Sequence, residues 1–458
     1  MIKAIHRTGS LRAKDTIVRF WLLAVLVSLQ IFTSSAHAIL TIEVTQGNDK
    51  AVKVAVAPFS WEGERLLPED LSGVVDNDLK LSGLFAPIPR AEMLSFPSKA
   101  SDVVYRDWSL LGTSYLVTGR ITQSGSIYDV SYQLYDITQQ KRIATGRFRG
   151  VESQLRNLAH RISDAVYQKI TGIPGDFSTR ILYVTAKRWN VDRTDYRLNY
   201  ADADGQRQRE VVRSREPILS PAWSPDGSKV AYVSFESGRP AIFVQELATG
   251  KRDKVTGFRG LNSSPVFSPD GKWLALVLSK GDNPDIYVKN LETGKLSQLT
   301  RSFSIDTEPD WMPDGKSLIF TSNRGGSAQI YQLGVQPQAD GTMTADDKPV
   351  RLTFKGRFNA RAKAFPDGKS IAMVHKGKGA ADFNIAVLDL DTNRLRMLTS
   401  ARLEDSPSVS PGGRRLIYAV QGGEQGELGI VTADGRVKYR LPSAEGDVRE
   451  PVWGPARD

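Results

Sequence analysis

The sequence predicts a two-domain protein: a small N-terminal α+β domain, then a six-bladed β-propeller closed by the C-terminal strand. Three observations carry this reading. A turn phrase recurs at a propeller period, a partial blade stands at each end of that array, and the stretch upstream mixes helical and strand periodicities. The phrase reads Pro-Ala-Trp-Ser-Pro-Asp-Gly up to Gly227, Pro-Val-Phe-Ser-Pro-Asp-Gly up to Gly271 and Pro-Asp-Trp-Met-Pro-Asp-Gly up to Gly315, with looser copies ending at Gly368 and Gly413. These glycines lie 44, 44, 53 and 45 residues apart.

Taken in order, the chain opens with five basic side chains in residues 1–19, an apolar run at 20–32 and the small-residue site Ala36-His37-Ala38. This is the pattern of a secretory leader cut between Ala38 and Ile39, and the run is too short for a bilayer span. Residues 39–44 are apolar and β-prone and then turn polar, which fits an edge strand or a mobile arm. A buried strand is expected at 52–58 and a helix at 67–81 with Leu71, Val74, Val75 and Leu79 on one face, followed by a short segment at 85–88. A short helix near 102–111 leads to a meander at 115–123, 127–137 and 142–149. A helix at 152–170 carries the stripe Leu155, Leu158, Ile162, Ala165, Val166 and Ile170, with His160 beside it as a packing or surface histidine. Residues 39–172 thus form the α+β domain, 173–179 with Pro174 and Gly175 the linker, and 180–458 the propeller.

Each turn phrase ends one strand and begins another: proline fixes φ at the second turn position, Asp or Ser bonds its own backbone, and Gly takes the left-handed position. Apolar runs follow at 229–234, 273–278, 317–321, 370–374 and 415–420, and third strands follow these, as at 241–246 and 285–290. Second turns (248–250, 292–294, 391–393, 433–435) lead to fourth strands that close on Val255-Thr256, Leu299-Thr300, Leu352-Thr353 and Leu398-Thr399. At the C-terminus Glu450-Pro451-Val452-Trp453-Gly454-Pro455 repeats the opening of the Glu308 unit and has no successor strands. Residues 180–185, 195–200 and 206–212 read as strands two to four without a first. The two fragments complete one blade, so the ring has no open edge.

Composition excludes several functions. The formal charge is +10; loss of residues 1–38 leaves about +6, mild for this length and without the concentrated basic run of a nucleic-acid protein. Cysteine is absent, and only His160 and His375 remain beyond the leader, so zinc sites of the usual Cys and His kind are excluded. No Gly-x-Ser-x-Gly elbow, His-Glu-x-x-His helix or EF-hand loop occurs. Gly315-Lys316-Ser317 and Gly368-Lys369-Ser370 imitate the end of a phosphate loop, yet both lie in repeat turns. Asp306, Glu308, Glu404 and Asp405 cluster before first strands, either as solvated loop charge or at a channel mouth suited to a cation.

A secretory leader, a small α+β domain and a propeller of Pro-x-(Trp/Phe)-Ser-Pro-Asp-Gly repeats closed by Pro451-Val452-Trp453 together resemble the TolB family of the Tol-Pal system. The resemblance covers essentially all of the chain after the leader; the repeat alone also occurs in prolyl-oligopeptidase propellers. It implies a periplasmic adaptor without catalytic residues, cofactor or metal, supporting outer-membrane integrity and cell division. Its implied partners are the lipoprotein Pal on the propeller and TolA at the mature N-terminus, with other outer-membrane lipoproteins and colicins on the same surface. By resemblance, Pal-docking positions are Leu219 and Ser220 before Pro221, Leu261, Asn262 and Ser264 before Pro265, and Thr307 and Glu308 before Pro309. Leu261 stands where a histidine can stand in the family. Ring geometry adds Asn359, Arg361, Glu404 and Asp405, with His375 on the same side, and the TolA arm is Ile39, Leu40, Thr41, Ile42, Glu43 and Val44. The competing class is an exported propeller hydrolase or lactonase, which needs several His, Asp, Glu or Asn side chains converging on the channel.

Overall fold

Each turn phrase closes a hairpin between the first two strands of a blade through one repeated pattern. In the first copy the Gly227 N–H donates to the Ser224 carbonyl at 2.9 Å and the Ser228 N–H to Asp226 Oδ1 at 3.1 Å, with Gly227 at φ +66°. Side chains avoid that conformation, so glycine belongs there. The same bond recurs at Gly271, Gly315, Gly368 and Gly413. The turn proline has a second role. A Cβ on Gly271 would meet Pro225, one on Gly315 Pro269 and one on Gly413 Pro366, so each turn rests on the proline of the preceding blade. Pro455, two residues beyond the closing Trp453, supplies that contact for Gly227.

The computed structural model describes residues 42–44 and 51–456, apart from 282, 347, 402, 422–425 and 442–445. The expected cleavage site Ala38–Ile39 and the arm residues Ile39, Leu40 and Thr41 lie outside the described residues. Of the arm, Ile42–Val44 form a strand (β1). Among the described residues no helix is long and apolar enough to cross a membrane.

The α+β domain is a mixed sheet of β2 (Val52–Val56), β3 (Ser60–Trp61), β4 (Phe85–Pro87), β5 (Tyr115–Ser124), β6 (Ile127–Asp136) and β7 (Lys141–Val151). Its order is β4-β2-β5-β6-β7, with β3 beside β5. Helices α1 (Leu71–Leu81) and α3 (Leu155–Thr171) bury the expected stripes in one core with Val54, Val56, Val117 and Leu134, while the short α2 (Tyr105–Leu110) packs Trp108 into a second cluster. Helix α1 starts four residues later than its periodicity suggests. Asp70 caps it, accepting from the Gly73 N–H at 3.0 Å, and Pro68 stands just upstream. Gly172 at φ +75° ends α3.

Six blades follow. First strands are Ile218–Trp223, Asn262–Phe267, Asp306–Trp311, Phe358–Ala364 and Glu404–Val409 in blades I to V. In blade VI the innermost strand is the C-terminal Asp447–Trp453, beside Arg180–Asn190, Arg193–Asp202 and Arg209–Ser214. The recurring Thr of the fourth strand has a physical reason. Thr300 Oγ1, Thr353 Oγ1 and Thr399 Oγ1 each accept the N–H of a third-strand isoleucine at 2.9 Å, replacing a ladder bond where the outer strand ends. The long spacing before Gly368 comes from blade III, where Gln329–Pro337 overshoots and folds back through Met343–Ala345.

Register defines two ends. Ile218 pairs with Ser234 and Ser234 with Ala241, so loops entering first strands share one end, the mouth face, with the hairpins between second and third strands. The turn phrases lie at the other end, where the α+β domain attaches. The residues expected to be a linker are strapped down there. The Asp164 carboxylate accepts the Phe177 N–H at 2.7 Å, Arg415 is ion-paired to Asp176, and the Trp453 Nε1–H donates to Thr179 Oγ1 at 2.8 Å. Strand β1 adds to the outer strand of blade V, with Ile42 opposite Tyr439 and Val44 opposite Val437.

Candidate docking face and channel

The site begins with a backbone irregularity repeated six times. Every first strand shifts register at its centre, and one residue at each shift has positive φ: Ser220 48°, Ser264 50°, Glu308 55°, Arg361 54°, Ser406 53° and Glu450 49°. Proline follows five of them, and Ala362 follows Arg361. Proline disfavours the right-handed region for its predecessor, and a bulge takes up the extra residue. Each such non-glycine residue costs on the order of 1 kcal/mol or more, which the surrounding blade must hold. These six residues line a narrow cavity of about 90 Å³ on the propeller axis.

Two glutamates close the ring across blade boundaries. Glu450 Oε2 of blade VI accepts the Ser220 N–H of blade I. Glu308 Oε2 of blade III accepts the Arg361 N–H of blade IV at 3.1 Å and the Thr321 hydroxyl at 2.9 Å. The Arg361 side chain then crosses the opening. Its Nε lies 3.1 Å from Glu308 Oε1 and 3.3 Å from Asp405 Oδ1, and its Nη1 donates to Ser406 Oγ at 2.7 Å and lies 3.9 Å from Glu450 Oε1. Burial raises the Glu450 pKa, and the Arg361 charge works against that rise. One guanidinium among three carboxylates pins the channel mouth.

The sequence-predicted residues separate into three groups. Ser220, Ser264, Glu308, Arg361 and Asp405 converge on the channel mouth, with Thr307 half-buried beside them. Leu219 and Leu261 are half-buried and pack into blade cores. Asn262, Asn359 and Glu404 were expected at the exposed docking surface but are fully or almost fully buried. Asn262 Nδ2 donates to the Phe258 carbonyl at 2.8 Å, Asn359 Nδ2 to the Lys355 carbonyl at 2.9 Å, and Glu404 accepts from Thr399 Oγ1. They tie each entering loop to its strand, whereas Asp306 at the equivalent position pairs with Arg324 of the hairpin between second and third strands at 2.7 Å. The physical reason is position: the first residue of the strand points into the gap beneath the loop, where backbone groups need partners. His375 is also buried, with Nδ1 2.8 Å from Asn359 Oδ1, and burial lowers its pKa.

Sequence reasoning missed two sets of residues. Phe258, Phe303, Phe354 and Leu403 occupy equivalent loops of four successive blades, and all four are exposed. Their signal was present: an aromatic follows Thr256, Thr300 and Thr353 within three residues. The second set lies at the opposite end. His160 of α3 is buried between Asp78 of α1 (Nδ1 to Oδ2, 2.7 Å) and the blade VI turn, with Nε2 3.9 Å from Asp202 Oδ2 and 3.8 Å from Asp204 Oδ2. Burial alone depresses its pKa, but the carboxylates of Asp78, Asp204 and Asp202 outweigh it and push the value up to about 9. No pattern within 40 residues of His160 announces this, because its partners come from helix α1 and the blade VI turn.

A mixed sheet strapped to the turn side of a velcro-closed propeller, with a pinned channel and apolar side chains raised around its mouth, defines the class: a six-bladed propeller protein with an N-terminal α+β domain. Comparisons with known proteins agree with the architecture. The model of the TolB beta propeller domain matches residues 167–457 and that of the TolB amino-terminal domain residues 40–143. The Tol-Pal system protein TolB of Pseudomonas aeruginosa is 51% identical over 441 residues, 96% of this chain and 99% of that protein. The protein of the same name from Pseudomonas fluorescens is 50% identical over 90% of this chain and 93% of its own length. The crystal structure of TolB from Acinetobacter baumannii superposes with a TM-score of 0.80 at 42% identity, covering 91% of this chain and all of that one. The chain belongs to the TolB family of Tol-Pal system proteins.

Proposed function

We propose that this chain is a periplasmic adaptor that links inner-membrane Tol proteins to the lipoprotein Pal, supporting outer-membrane integrity and cell division. Pal docks on the mouth face, and residues 39–44 are offered to TolA. Family membership supplies the Tol-Pal setting. The observation that carries the docking reading is the mouth face itself, where four successive loops expose Phe258, Phe303, Phe354 and Leu403 around a channel rim closed by Arg361. Exposed apolar side chains of this number on one face mark a contact surface.

The same geometry argues against the hydrolase or lactonase reading. The channel carboxylates Glu308, Asp405 and Glu450 all face one arginine, and His160 and His375 are buried among structural partners. The arm reading draws on β1, whose three residues pair with only one edge strand. An edge pairing that short is weak and exchangeable. Calorimetric titration of the mature chain with the soluble domain of Pal from the same cell tests the function. Saturable one-to-one binding is expected, and no heat from two folded proteins removes the reading.

A further inference from the structure

We propose that the mouth face carries a collar of aromatic rings and cations that receives an acidic protein surface, with the blade VI hairpin standing as a finger at its side. This rests on the docking reading above and names the chemistry of the partner. Four mouth-face sites stack a cation on a ring. Lys280 Nζ lies 4.6 Å from the Phe258 centroid, Lys376 Nζ 4.7 Å from Phe383, the Arg351 guanidinium 5.1 Å from Phe354 and Lys187 Nζ 4.4 Å from Trp189. The Trp189 Nε1–H also donates to Asp195 Oδ2 at 2.9 Å, which fixes the ring. Each pair presents a flat apolar surface beside a positive charge.

Charge and apolarity together select the occupant. Exposed Arg188, Arg239, Arg259, Lys280, Arg301 and Arg357 surround the face, against exposed Asp192, Glu216 and Glu236 in the same described loops. The carboxylates further in, at the channel, already face Arg361. The rim therefore attracts carboxylates. Between the cations, Phe303 is 100% exposed and Ile305 48%, and a cavity of about 300 Å³ opens between Phe358, Val374, Phe383 and Leu403 on one part of its lining and Glu308, Arg361 and Asp405 on another. Such positions call for apolar side chains, which an acidic protein surface supplies and a phosphate backbone or glycan strand supplies poorly.

Among the described residues, the finger is particular to blade VI. In blades I to V the second strand ends opposite the first residue of the first strand, as Ser234 does opposite Ile218 and Val420 opposite Glu404. Blade VI continues past the Ala186–Asp447 pair through Lys187–Asp195 and Arg188–Thr194 to Asn190–Arg193. Four further residues at the usual strand rise reach about 13 Å beyond the ring. Trp189, 54% exposed, and Val191, 82% exposed, sit on that projection, where a body seated on the mouth face must pass alongside them.

The test measures association and dissociation rates of the full mature chain with the soluble lipoprotein domain at low and high salt. It uses wild type, the triple variant Arg259→Glu/Lys280→Glu/Arg301→Glu, and Trp189→Ala, each checked for an unchanged unfolding midpoint. Association is expected to slow by about tenfold or more with salt and in the triple variant, and Trp189→Ala to speed dissociation by about tenfold. Binding whose association rate ignores both salt and charge reversal overturns the collar and leaves the docking reading standing. Folded wild type that does not bind the lipoprotein domain overturns both. Soluble peptidoglycan strands serve as a second probe: capture of these, lost in the triple variant while the lipoprotein rates stay unchanged, assigns the collar to glycan and overturns the acidic protein.

Discussion

His160 concentrates the residue-scale argument. Its imidazole lies between Asp78 of α1 and the blade VI carboxylates Asp202 and Asp204, while Arg156 of α3 and Arg207 pair with those same two aspartates from either side. The buried charge is therefore shared by two domains, and the proton on His160 belongs to the folded state. Because its folded pKa of about 9 lies above the ordinary value of 6.5, its stabilisation is fully present below about pH 6.5 and is lost as pH rises through 9. The full effect is on the order of 3 kcal/mol. Wild type is expected to unfold more easily at pH 9.5 than at pH 6.5, and His160→Gln to start lower and lose most of that slope. Equal slopes for the two proteins, measured by denaturant unfolding across this range, contradict the assignment. Sequence alone could not reveal the cluster, since residues 78, 160, 202 and 204 meet only through the packing of two helices on a propeller turn.

At the scale of the element, local chemistry was legible and its reuse between neighbours was not. Pro, Asp and Gly announce each hairpin from sequence, and the strands at 229–234, 273–278, 241–246 and 285–290 lie where alternation placed them. Nothing local shows that each turn proline also supports the next blade's glycine. Nor does it show that Trp311 Nε1 donates to the Val266 carbonyl at 3.3 Å, or Trp223 Nε1 to that of Val452 at 3.3 Å, each stapling one blade to its predecessor. Trp223→Ala or Trp311→Ala is expected to cost about 3 to 5 kcal/mol of stability, read as a fall in unfolding midpoint. A loss below about 1 kcal/mol would mean the interblade staple carries little. The arm gives the opposite prediction. Strand β1 pairs through three residues with one edge, so deletion of residues 39–44 should leave the midpoint nearly unchanged while abolishing TolA binding. Unaltered TolA affinity in the truncated chain rules out the arm.

For the whole molecule, blade count and closure followed from complementary fragments at the two ends of the repeat. The mouth face emerged only in three dimensions. Loop position alone put Asn262, Asn359 and Glu404 on the docking surface, because sequence gives the blade and position but not whether a side chain points outward or beneath its loop. The exposed aromatics went unremarked because aromatic residues in a propeller are read first as core. What remains of the expected site, Ser220, Ser264, Thr307, Glu308, Arg361 and Asp405, surrounds the channel rim on the side away from the α+β domain. That separation of a docking side from an arm side is the central claim. It is tested most directly by calorimetric Pal affinity of Ser264→Arg and Thr307→Arg, with unfolding midpoints measured on the same samples. Midpoints close to wild type are expected, with affinity reduced by a few kcal/mol, about a hundredfold or more, from a clash or an unpaired charge at the rim. Wild-type affinity in folded variants would contradict it and move the dock to another surface.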